Sequence, residues 1–410
     1  MKEIYLDFAA TTFVRPEVKE AMEPYFTREF GNPGSMHSSG LHAKQALDYA
    51  REKVAKTINS RIDEVYFTGS GTESINLAVK GVARACKRAG KGNHVITSRI
   101  EHHAVMDSCK DLEKNEGFRI TYLPVDKFGL INLEELEKAI APETILITIM
   151  YANNEIGTIQ QIAEIAKIAK KHNVLFHTDA CQAGYELSVN VQELGVDLMT
   201  LNGSKIYGPK GVGMLFVKKG TPIVPIIHGG GQEGGLRSGT ENIAGIVGFA
   251  KALEICQNAR EKEAKRLTKL RDYFIKELFK RIPDIMLNGH PVQRLPNNVN
   301  VSILSIEGEA VLLKLNEFGI YASSGSACTS HDLEPSHVVL ATGVPFEVAH
   351  GSLRFTFGIT TNKKQLEFVL KALPPIVKEL RNLSPVKLTL KDIEREIEKQ
   401  KALAASVKVG

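Results

Sequence analysis

Short apolar segments typical of buried strands alternate with amphipathic helices from about residue 41 to residue 260. Between two of these segments, isoleucine and alanine recur at helical spacing from Ile162 to Ala169. A strand–helix–strand order makes successive strands parallel, because the helix carries the chain back to the edge where the first strand began. The pattern therefore predicts an α/β fold, with helices on both faces of a mostly parallel sheet. The predicted strands are Val65–Thr68, His94–Thr97, Ile120–Val125, Thr144–Ile149, Val174–His177 and Asp197–Leu201.

The pattern changes near residue 255, where a long charged helix is predicted from Ile255 to Arg281. Strands and helices after it no longer alternate regularly, which favours a smaller α+β domain. The extended segment before Pro16 is expected to join that domain. The predicted units are a large domain of residues 15–258, a small domain of residues 1–14 and 259–385, and a helical tail of residues 386–410.

In the tail, Thr389 and Asp392 resemble the cap at the start of a helix. Leu390, Ile393 and Ile397 share one face of that helix. We expect it to dock weakly or on a partner, and the last residues to fray.

Composition restricts the classes of partner and site. The net charge is only +5 over 410 residues and the basic residues are not clustered, so a direct nucleic-acid partner is not expected. The first residues lack the apolar core of a signal peptide, and no apolar run is long enough to span a membrane, so we expect a cytoplasmic protein. The cysteines are odd in number and scattered, which favours neither a disulfide framework nor a metal site. They are Cys86, Cys109, Cys181, Cys256 and Cys328.

Two of the predicted strands lead into residues that suit one cofactor. The first is followed by Asp179 and the second by Lys205. Ligands of open α/β sheets bind at the carboxyl ends of the strands, so the two side chains are expected to meet there. A pyridoxal phosphate enzyme needs a lysine for the Schiff base and an acid that keeps the pyridine nitrogen protonated. Lys205 alone is compatible with a solvated surface lysine, but its pairing with Asp179 favours a pyridoxal phosphate site.

A glycine-rich turn after the first predicted strand suits a phosphate. Gly69-Ser70-Gly71-Thr72 precedes a helix, whose free N–H groups attract anions. Ser74 stands where a dinucleotide motif needs its third glycine, so a mononucleotide-like cofactor fits better. A plain tight turn explains the segment about equally well.

Paired histidines, His102 and His103, follow the strand that ends near Ser98. A histidine there can stack on an aromatic cofactor ring or transfer protons. No third ligand at suitable spacing supports a metal site, and His103 is interpreted as a surface residue.

Cys328 lies in a run of small residues from Ser323 to Ser330. A core cysteine would have apolar neighbours, whereas glycine and serine make a loop that can present a thiol. The segment therefore predicts a reactive cysteine.

With these residues assembled, the chain resembles the class V aminotransferase-like pyridoxal phosphate enzymes, and in particular the cysteine desulfurases of the NifS and IscS group. The resemblance runs from Tyr5 to about Pro385 and leaves the tail uncovered. It implies pyridoxal phosphate fold type I, with a large domain built on a mostly parallel seven-stranded sheet and a smaller α+β domain that carries the cysteine loop. The motifs behind it are Tyr5-Leu6-Asp7, Gly31-Asn32-Pro33, Thr72-Glu73-Ser74, Glu101-His102, Asn153-Asn154-Glu155-Ile156-Gly157, Asp179 with Gln182, Lys205, Arg237-Ser238-Gly239-Thr240 and Ser323 through Ser330.

The resemblance also implies a role for each matching residue. Lys205 binds the cofactor and moves the Cα proton, His102 stacks on the ring and acts as acid or base, and Cys328 takes the sulfur. Asn154 and Arg354 hold the substrate carboxylate, which the planar guanidinium of arginine can bind through two hydrogen bonds. The implied cofactor-binding residues are Gly71, Thr72, His102, Asp179, Gln182, Asn202, Ser204, Lys205 and Thr240, the last of these from a partner subunit.

The reaction implied by the resemblance converts L-cysteine to L-alanine and leaves a persulfide on Cys328. The implied partners are a second copy of the chain with shared active sites and a sulfur acceptor such as an iron–sulfur cluster scaffold, in whose complex Cys328 is a candidate cluster ligand. The family commonly has His at the position of Ser204 and Ser at the position of Asn202, but a short hydroxyl can still bind a phosphate.

Other activities remain open at this point. A selenocysteine lyase or another β-eliminating enzyme would use the same cofactor, and an aminotransferase would need no reactive thiol. A non-enzymatic sulfur-relay subunit would need neither Lys205 nor Asp179.

Overall fold

The computed structural model describes residues 3–325, 335–385, 387–393 and 395. The strands are β1 (Ile4–Tyr5), β2 (Val65–Thr68), β3 (His94–Ser98), β4 (Arg119–Leu123), β5 (Thr144–Thr148), β6 (Leu175–Asp179), β7 (Leu198–Asn202), β8 (Gly213–Val217), β9 (Ile285–Leu287), β10 (Asn298–Ile303), β11 (Ile320–Tyr321) and β12 (Ser352–Thr356). The helices are α1 (Pro16–Met22), α2 (Pro24–Thr27), α3 (Ser38–Ile58), α4 (Gly71–Asn76), α5 (Val82–Arg88), α6 (His103–Glu116), α7 (Leu133–Ala139), α8 (Ile162–Lys171), α9 (Val191–Leu194), α10 (Ile243–Arg281), α11 (Gly308–Glu317), α12 (His337–Ala341), α13 (Phe346–Ala349) and α14 (Lys363–Leu383).

Within the described residues, seven strands form the central sheet in the order β2-β8-β7-β6-β5-β3-β4. The neighbours from β7 to β4 are parallel, whereas β8 is antiparallel to both β2 and β7. The predicted α/β fold with a mostly parallel sheet is therefore confirmed. The sequence did not predict β8. It returns antiparallel because residues 203–212, which join it to β7, contain only the short helical turn Gly203–Lys205 and no crossover helix.

Helices cover both faces of this sheet, and alternate residues of each strand point to opposite faces. Val95 and Leu146 pack in the core formed with α4, α5 and α6. Their neighbours Ile96 and Ile147 belong to the larger core, which also contains residues of α3, α8 and α10. Burial on both faces explains why these strands read as continuous apolar runs in the sequence.

The smaller part of the molecule contains two further sheets. Strand β10 pairs antiparallel with β9 and β12. The N-terminal strand β1 pairs parallel with β11, so the first described residues lie against this part. Helix α10 is continuous through residue 258, where the domain boundary was predicted, and begins earlier than the predicted Ile255. Asn242 caps it by accepting a hydrogen bond of 3.0 Å from the backbone N–H of Gly245.

The first part of the tail docks on the smaller part of the molecule. Ile393 is buried against Leu304 and Val348. Thr389 and Asp392 form the predicted cap, since both the backbone N–H and the hydroxyl of Thr389 donate to the Asp392 carboxylate. Ile397 lies outside the described residues. No helix in the described part of the chain combines the length and the hydropathy that crossing a membrane requires.

Candidate active site

The loops at the carboxyl ends of the parallel strands enclose a cavity of about 190 Å³. Strand β6 ends at Asp179 and β7 at Asn202, while α4 begins soon after β2. This is the edge where open α/β sheets bind ligands, because the connecting loops diverge there. The cavity brings together many of the residues predicted for the site, namely Gly71, Thr72, His102, Asn154, Asp179, Gln182, Asn202, Lys205 and Arg354.

Lys205 ends a short helical turn, Gly203–Lys205, that follows β7. Its Nζ donates hydrogen bonds of 2.8 Å to the carbonyl oxygen of Ala9 and 2.5 Å to that of Ala10. The side-chain amide of Gln182 donates to the same oxygen of Ala9 at 3.0 Å. The N-terminal segment thus aims two predicted site residues toward one region of the cavity.

Thr12 in the same N-terminal segment fixes the turn around Lys205. Its backbone N–H and its hydroxyl donate to the carbonyl oxygen of Ser204, at 2.8 and 3.0 Å. The hydroxyl oxygen of Thr12 also accepts from the backbone N–H of Tyr207 at 2.8 Å. Tyr207 has a positive φ of 61°, a conformation that is costly for a bulky residue and needs such support. Thr12 is a positioning residue that the sequence did not reveal.

Gly71 and Asn202 form a close contact on another wall of the cavity. A Cβ atom on Gly71 would lie 2.8 Å from Sγ of Cys181 and 3.2 Å from Cβ of Asn202. No side chain fits there without displacing its neighbours, so glycine lets the start of α4 approach β7 closely. Cys181 also lines the cavity.

Buried acidic groups surround the turn that carries His102. Asp179 accepts a hydrogen bond of 3.0 Å from the backbone N–H of Cys181. Glu101 accepts from the Ser98 hydroxyl at 2.5 Å and from the backbone N–H of Met150 at 3.0 Å. Burial raises the pKa of Glu101 to about 8, with a further contribution from Asp179, although the two donors oppose the shift.

His102 itself caps helix α6. Its Nδ1 accepts a hydrogen bond of 3.1 Å from the backbone N–H of Ala104. An accepting Nδ1 carries no proton, so the ring proton of a neutral His102 is on Nε2. The cap fixes the ring orientation.

Arg354 on β12 is only 1% exposed, and two groups hold its guanidinium. Nη1 donates to the carbonyl oxygen of Asn154 at 3.0 Å, and Nη2 donates to Oδ1 of Asp7 at 2.8 Å. Its Nε is buried and has no hydrogen-bond partner among the residues that the structure describes. A buried guanidinium needs a counter-charge, which Asp7 supplies. The sequence did not reveal this role of Asp7, although Asp7 belongs to the motif Tyr5-Leu6-Asp7.

Two of the predicted residues that the structure describes do not line this cavity, and a third lies outside the described residues. Ser204 is half-buried and does not line it. Thr240 is exposed and lies elsewhere on the surface. Cys328 lies outside the described residues, but the segment that contains it follows Ser323, whose backbone N–H donates to the carbonyl oxygen of Arg354 at 3.1 Å. The chain therefore enters the Cys328 segment beside a residue of the cavity.

The class of the chain follows from a family comparison. Residues 4–369 match the family model described as aminotransferase class-V. The chain belongs to the class V aminotransferase family. Members of this family are pyridoxal phosphate-dependent enzymes, so the predicted fold type I, the enzyme class and the cofactor are confirmed.

Within the class V aminotransferases, the relatives point to one group. The cysteine desulfurase IscS of Dictyoglomus turgidum is 54% identical over 386 residues, which cover 94% of this chain and 97% of that protein. A solved NifS-like protein superimposes with a TM-score of 0.87 at 38% identity, covering 92% of this chain and all of that one. A structure described as SspA in complex with cysteine gives a TM-score of 0.76 at 36% identity, covering 87% and 99%. The predicted membership in the NifS and IscS group of cysteine desulfurases is confirmed.

The cavity of this class V aminotransferase fits pyridoxal phosphate. Lys205 provides an amine for the covalent bond, and Asp179 provides a buried carboxylate for the ring nitrogen. Gly71 and Thr72 open the first turn of α4, where backbone N–H groups attract a phosphate. The close approach at Gly71 forms a cradle that a Cβ atom would fill.

The described cysteines of this class V aminotransferase share one property. Burial raises the pKa of each thiol, to about 12 for Cys109 and Cys256 and less far for Cys86. The pKa of Cys181 is raised well above its usual value, first by burial and then by the charge of Asp179. A thiol with a raised pKa is a poor nucleophile at neutral pH because it stays protonated. In the described part of the chain, no cluster of three or more His, Cys, Asp or Glu side chains is arranged to hold a metal ion.

Proposed function

We propose that the protein is a pyridoxal phosphate-dependent cysteine desulfurase that converts L-cysteine to L-alanine and passes the sulfur to an acceptor such as an iron–sulfur cluster scaffold. One observation carries the proposal. Lys205, Asp179 and Arg354 line one cavity, and the segment that contains Cys328 starts from the backbone pair between Ser323 and Arg354. The names of the relatives support the same activity.

The first part of the reaction requires binding and proton transfer at the substrate Cα. Arg354 and Asn154 hold the carboxylate, which orients Cα toward Lys205. Bound pyridoxal phosphate supplies an electron sink that weakens the bonds at Cα and Cβ. Asp179 keeps a proton on the ring nitrogen, and Nζ of Lys205 removes the proton from Cα and returns protons later. The carbonyl oxygens of Ala9 and Ala10 hold that amine near its working position.

The second part transfers sulfur. The Cys328 thiolate attacks the substrate sulfur, so an S–S bond forms while the Cβ–S bond breaks. The electron pair of the broken bond goes to Cβ, which takes up a proton and becomes the methyl group of alanine. His102, with its exchangeable proton on Nε2, is a candidate donor. The persulfide on Cys328 is then available to an acceptor thiol.

The direct test incubates the purified, cofactor-loaded protein with L-cysteine and a thiol reductant. We expect a yellow protein that releases alanine and sulfide in equal amounts, because each turnover breaks one Cβ–S bond. Without the reductant, one persulfide per chain should accumulate on Cys328 and be visible by mass spectrometry. Pyruvate and ammonia in place of alanine would contradict the proposal, since those are the products of β-elimination.

We also propose that two copies of the chain form a homodimer with shared active sites. Several large apolar side chains near the N-terminus are exposed, an amount of apolar surface that often marks a protein interface. They are Phe13, Phe26, Phe30, Met36 and Leu41. Thr240, exposed and outside the cavity of its own chain, is proposed to reach the cofactor phosphate of the partner.

The loop that leads to Thr240 is held in a defined position, as a residue that completes another site must be. Glu233 is buried and receives two hydrogen bonds of 2.7 Å from the guanidinium of Arg51. The same carboxylate accepts from the backbone N–H of Phe67 on β2 at 2.9 Å. Arg237 is tied to Glu73 at the start of α4 by a bond of 2.8 Å. Such paired and hydrogen-bonded charges orient a loop even where they add little stability.

Mixed dimers test the shared site. In a heterodimer of Thr240→Ala and Lys205→Ala subunits, a shared site pairs the remaining Lys205 with an intact Thr240, so the cofactor affinity at that site should equal that of wild type. In a heterodimer of wild type with the Thr240→Ala, Lys205→Ala double variant, Lys205 faces the altered position. The cofactor affinity of the site that contains this Lys205 should fall about tenfold, because a hydrogen bond to a charged group is lost. Two different affinity tags isolate each heterodimer, and cofactor titration gives the affinities.

If Thr240 acted within its own chain, the outcomes would be reversed. The heterodimer of the two single variants would then lose cofactor affinity, and the heterodimer of wild type with the double variant would keep it. An active monomer in sedimentation would also contradict the shared-site proposal.

A further inference from the structure

Glu155 lies between the cavity and both ends of the segment that contains Cys328. It follows Asn154, which lines the cavity, and is only 2% exposed. Its Oε2 accepts a short hydrogen bond from the hydroxyl of Ser336. A Cβ atom on Gly325 would lie 3.3 Å from the same oxygen. One carboxylate oxygen therefore bonds to Ser336, just after the segment, and lies near Gly325, just before it.

The backbone of Glu155 is fixed from several directions. The side-chain amides of Asn298 and Asn300 on β10 donate to its carbonyl oxygen, at 2.9 and 3.1 Å. Its backbone N–H donates to Oδ1 of Asn153 at 2.8 Å. A side chain on so constrained a backbone holds its contacts in place, which is what a positioning residue requires.

The end that precedes the Cys328 segment is attached to β12. Ser323 and Arg354 exchange backbone hydrogen bonds of 3.1 and 2.6 Å. The Ser352 hydroxyl donates to the carbonyl oxygen of Ser324 at 2.8 Å. The carbonyl oxygen of Gly325, the next residue, accepts from the Ser323 hydroxyl at 3.1 Å, and Gly325 lies beside the Glu155 carboxylate. Residues 323–325, which lead into the segment, therefore run from Arg354 toward the carboxylate of Glu155.

The end that follows the segment is attached through Ser336 and His337. The Ser336 oxygen that donates to Glu155 also accepts from the backbone N–H groups of Val338 and Val339, which caps helix α12. Nε2 of His337 lies 3.1 Å from the carbonyl oxygen of Glu101, next to His102. Glu155 therefore links the start of α12 to the cavity.

The attachments of Gly325 and Ser336 affect the Cys328 thiol because all three belong to one short stretch of chain. Cys328 is the third residue after Gly325, so the position of Gly325 constrains the segment that carries the thiol. A shift of Gly325 away from Arg354 moves the whole region that Cys328 can reach. Misplacement of a reacting group by 1 Å can cost about a hundredfold in rate.

We propose that Glu155 is a positioning residue for sulfur transfer: its buried carboxylate binds Ser336 and borders Gly325, and so determines how effectively the Cys328 thiol reaches the substrate sulfur. The inference rests on the proposed desulfurase function and concerns its second part only. Glu155 does not line the cavity that contains Lys205 and Asp179, so we expect proton transfer at Cα not to depend on it.

The test separates two steps in each variant of the cofactor-loaded protein. Exchange of the Cα proton of L-alanine with deuterium from heavy water reports on Lys205 without any role for Cys328. A single turnover with L-cysteine, followed by mass spectrometry, reports the rate at which the Cys328 persulfide forms. Glu155→Ala should slow persulfide formation by about tenfold or more and change the exchange rate by less than about twofold. Glu155→Gln keeps an oxygen that accepts from Ser336, so it should recover most of the persulfide rate.

Ser336→Ala provides an independent approach to the same contact, should Glu155→Ala fail to fold. It should show the same selective loss, and combining it with Glu155→Ala should add little, because both remove one interaction. Ser336→Ala also removes a helix cap, which costs about 1 kcal/mol. The matched control is Asn190→Ala, which removes the cap of α9 instead and should leave the persulfide rate unchanged.

Parallel losses of exchange and persulfide formation in Glu155→Ala would show a general structural role and overturn the inference. An unchanged persulfide rate in both Glu155→Ala and Ser336→Ala would overturn it as well. A wild-type protein that exchanges the Cα proton but forms no persulfide would instead contradict the proposed desulfurase function, so the two failures are distinguishable.

Discussion

Lys205→Ala is expected to abolish alanine formation and the covalent attachment of the cofactor. Lys205 is the lysine in the cavity, and its Nζ is aimed by two carbonyl oxygens of the N-terminal segment. An alanine can neither bind the cofactor covalently nor move the Cα proton, and loss of general acid–base catalysis alone costs about a hundredfold to ten-thousandfold. Borohydride reduction followed by peptide mapping measures the attachment, and an alanine assay measures turnover.

Lys210 provides the matched control for this result. It is the nearest lysine along the chain and is exposed. Lys210→Ala should retain both the reducible attachment and the turnover. A Lys205→Ala protein that still carried a borohydride-reducible cofactor and turned over normally would move the site to another residue.

Cys328→Ser is expected to bind cofactor and L-cysteine normally but to release no alanine. The serine hydroxyl is a far weaker nucleophile toward sulfur than a thiolate, whereas cofactor binding and Cα proton exchange precede the attack. Rapid mixing with L-cysteine should therefore show spectral changes that stop before product. The deuterium exchange of L-alanine should remain at the wild-type rate.

Cys181→Ala is the informative comparison, because Cys181 is the described cysteine that lines the cavity. Its pKa is raised well above the usual value, so we expect a persulfide still to form on Cys328 in this variant. Alanine release by Cys328→Ser at the wild-type rate, together with its loss in Cys181→Ala, would assign the attack to Cys181.

Much of the fold was predictable because the strands of a covered parallel sheet carry a strong local signal. The segments around Val65, His94 and Thr144 form strands close to the predicted bounds. Helix α10 began earlier than predicted because its first turns, from Ile243 to Phe249, are largely buried and show no polar face. Strand β8 was missed although Gly213–Val217 is a continuous buried apolar run like those of the other central strands.

The site was predictable where a chemical group follows a strand, and unpredictable where contacts join distant segments. Asp179 ends β6 and Lys205 follows β7 closely, so fold topology alone brings them together. The bond between Asp7 and Arg354 joins residues at opposite ends of the chain, and no local pattern marks it. Thr240 and Cys328 stay predictions, as do the cytoplasmic location and the lack of a nucleic-acid partner. The role of Thr240 depends on a second subunit, and the role of Cys328 depends on residues outside those described.

The raised pKa values of the described cysteines have a consequence for how faithfully sulfur is delivered. A persulfide exchanges its outer sulfur with thiolates, and exchange within one molecule would compete with delivery to an acceptor. Because Cys109, Cys181 and Cys256 hold their protons well above neutral pH, they are poor recipients even when the persulfide is close. The persulfide sulfur on Cys328 can therefore remain there without transfer to these cysteines. An acceptor with an ionised thiol reacts with it faster than they do.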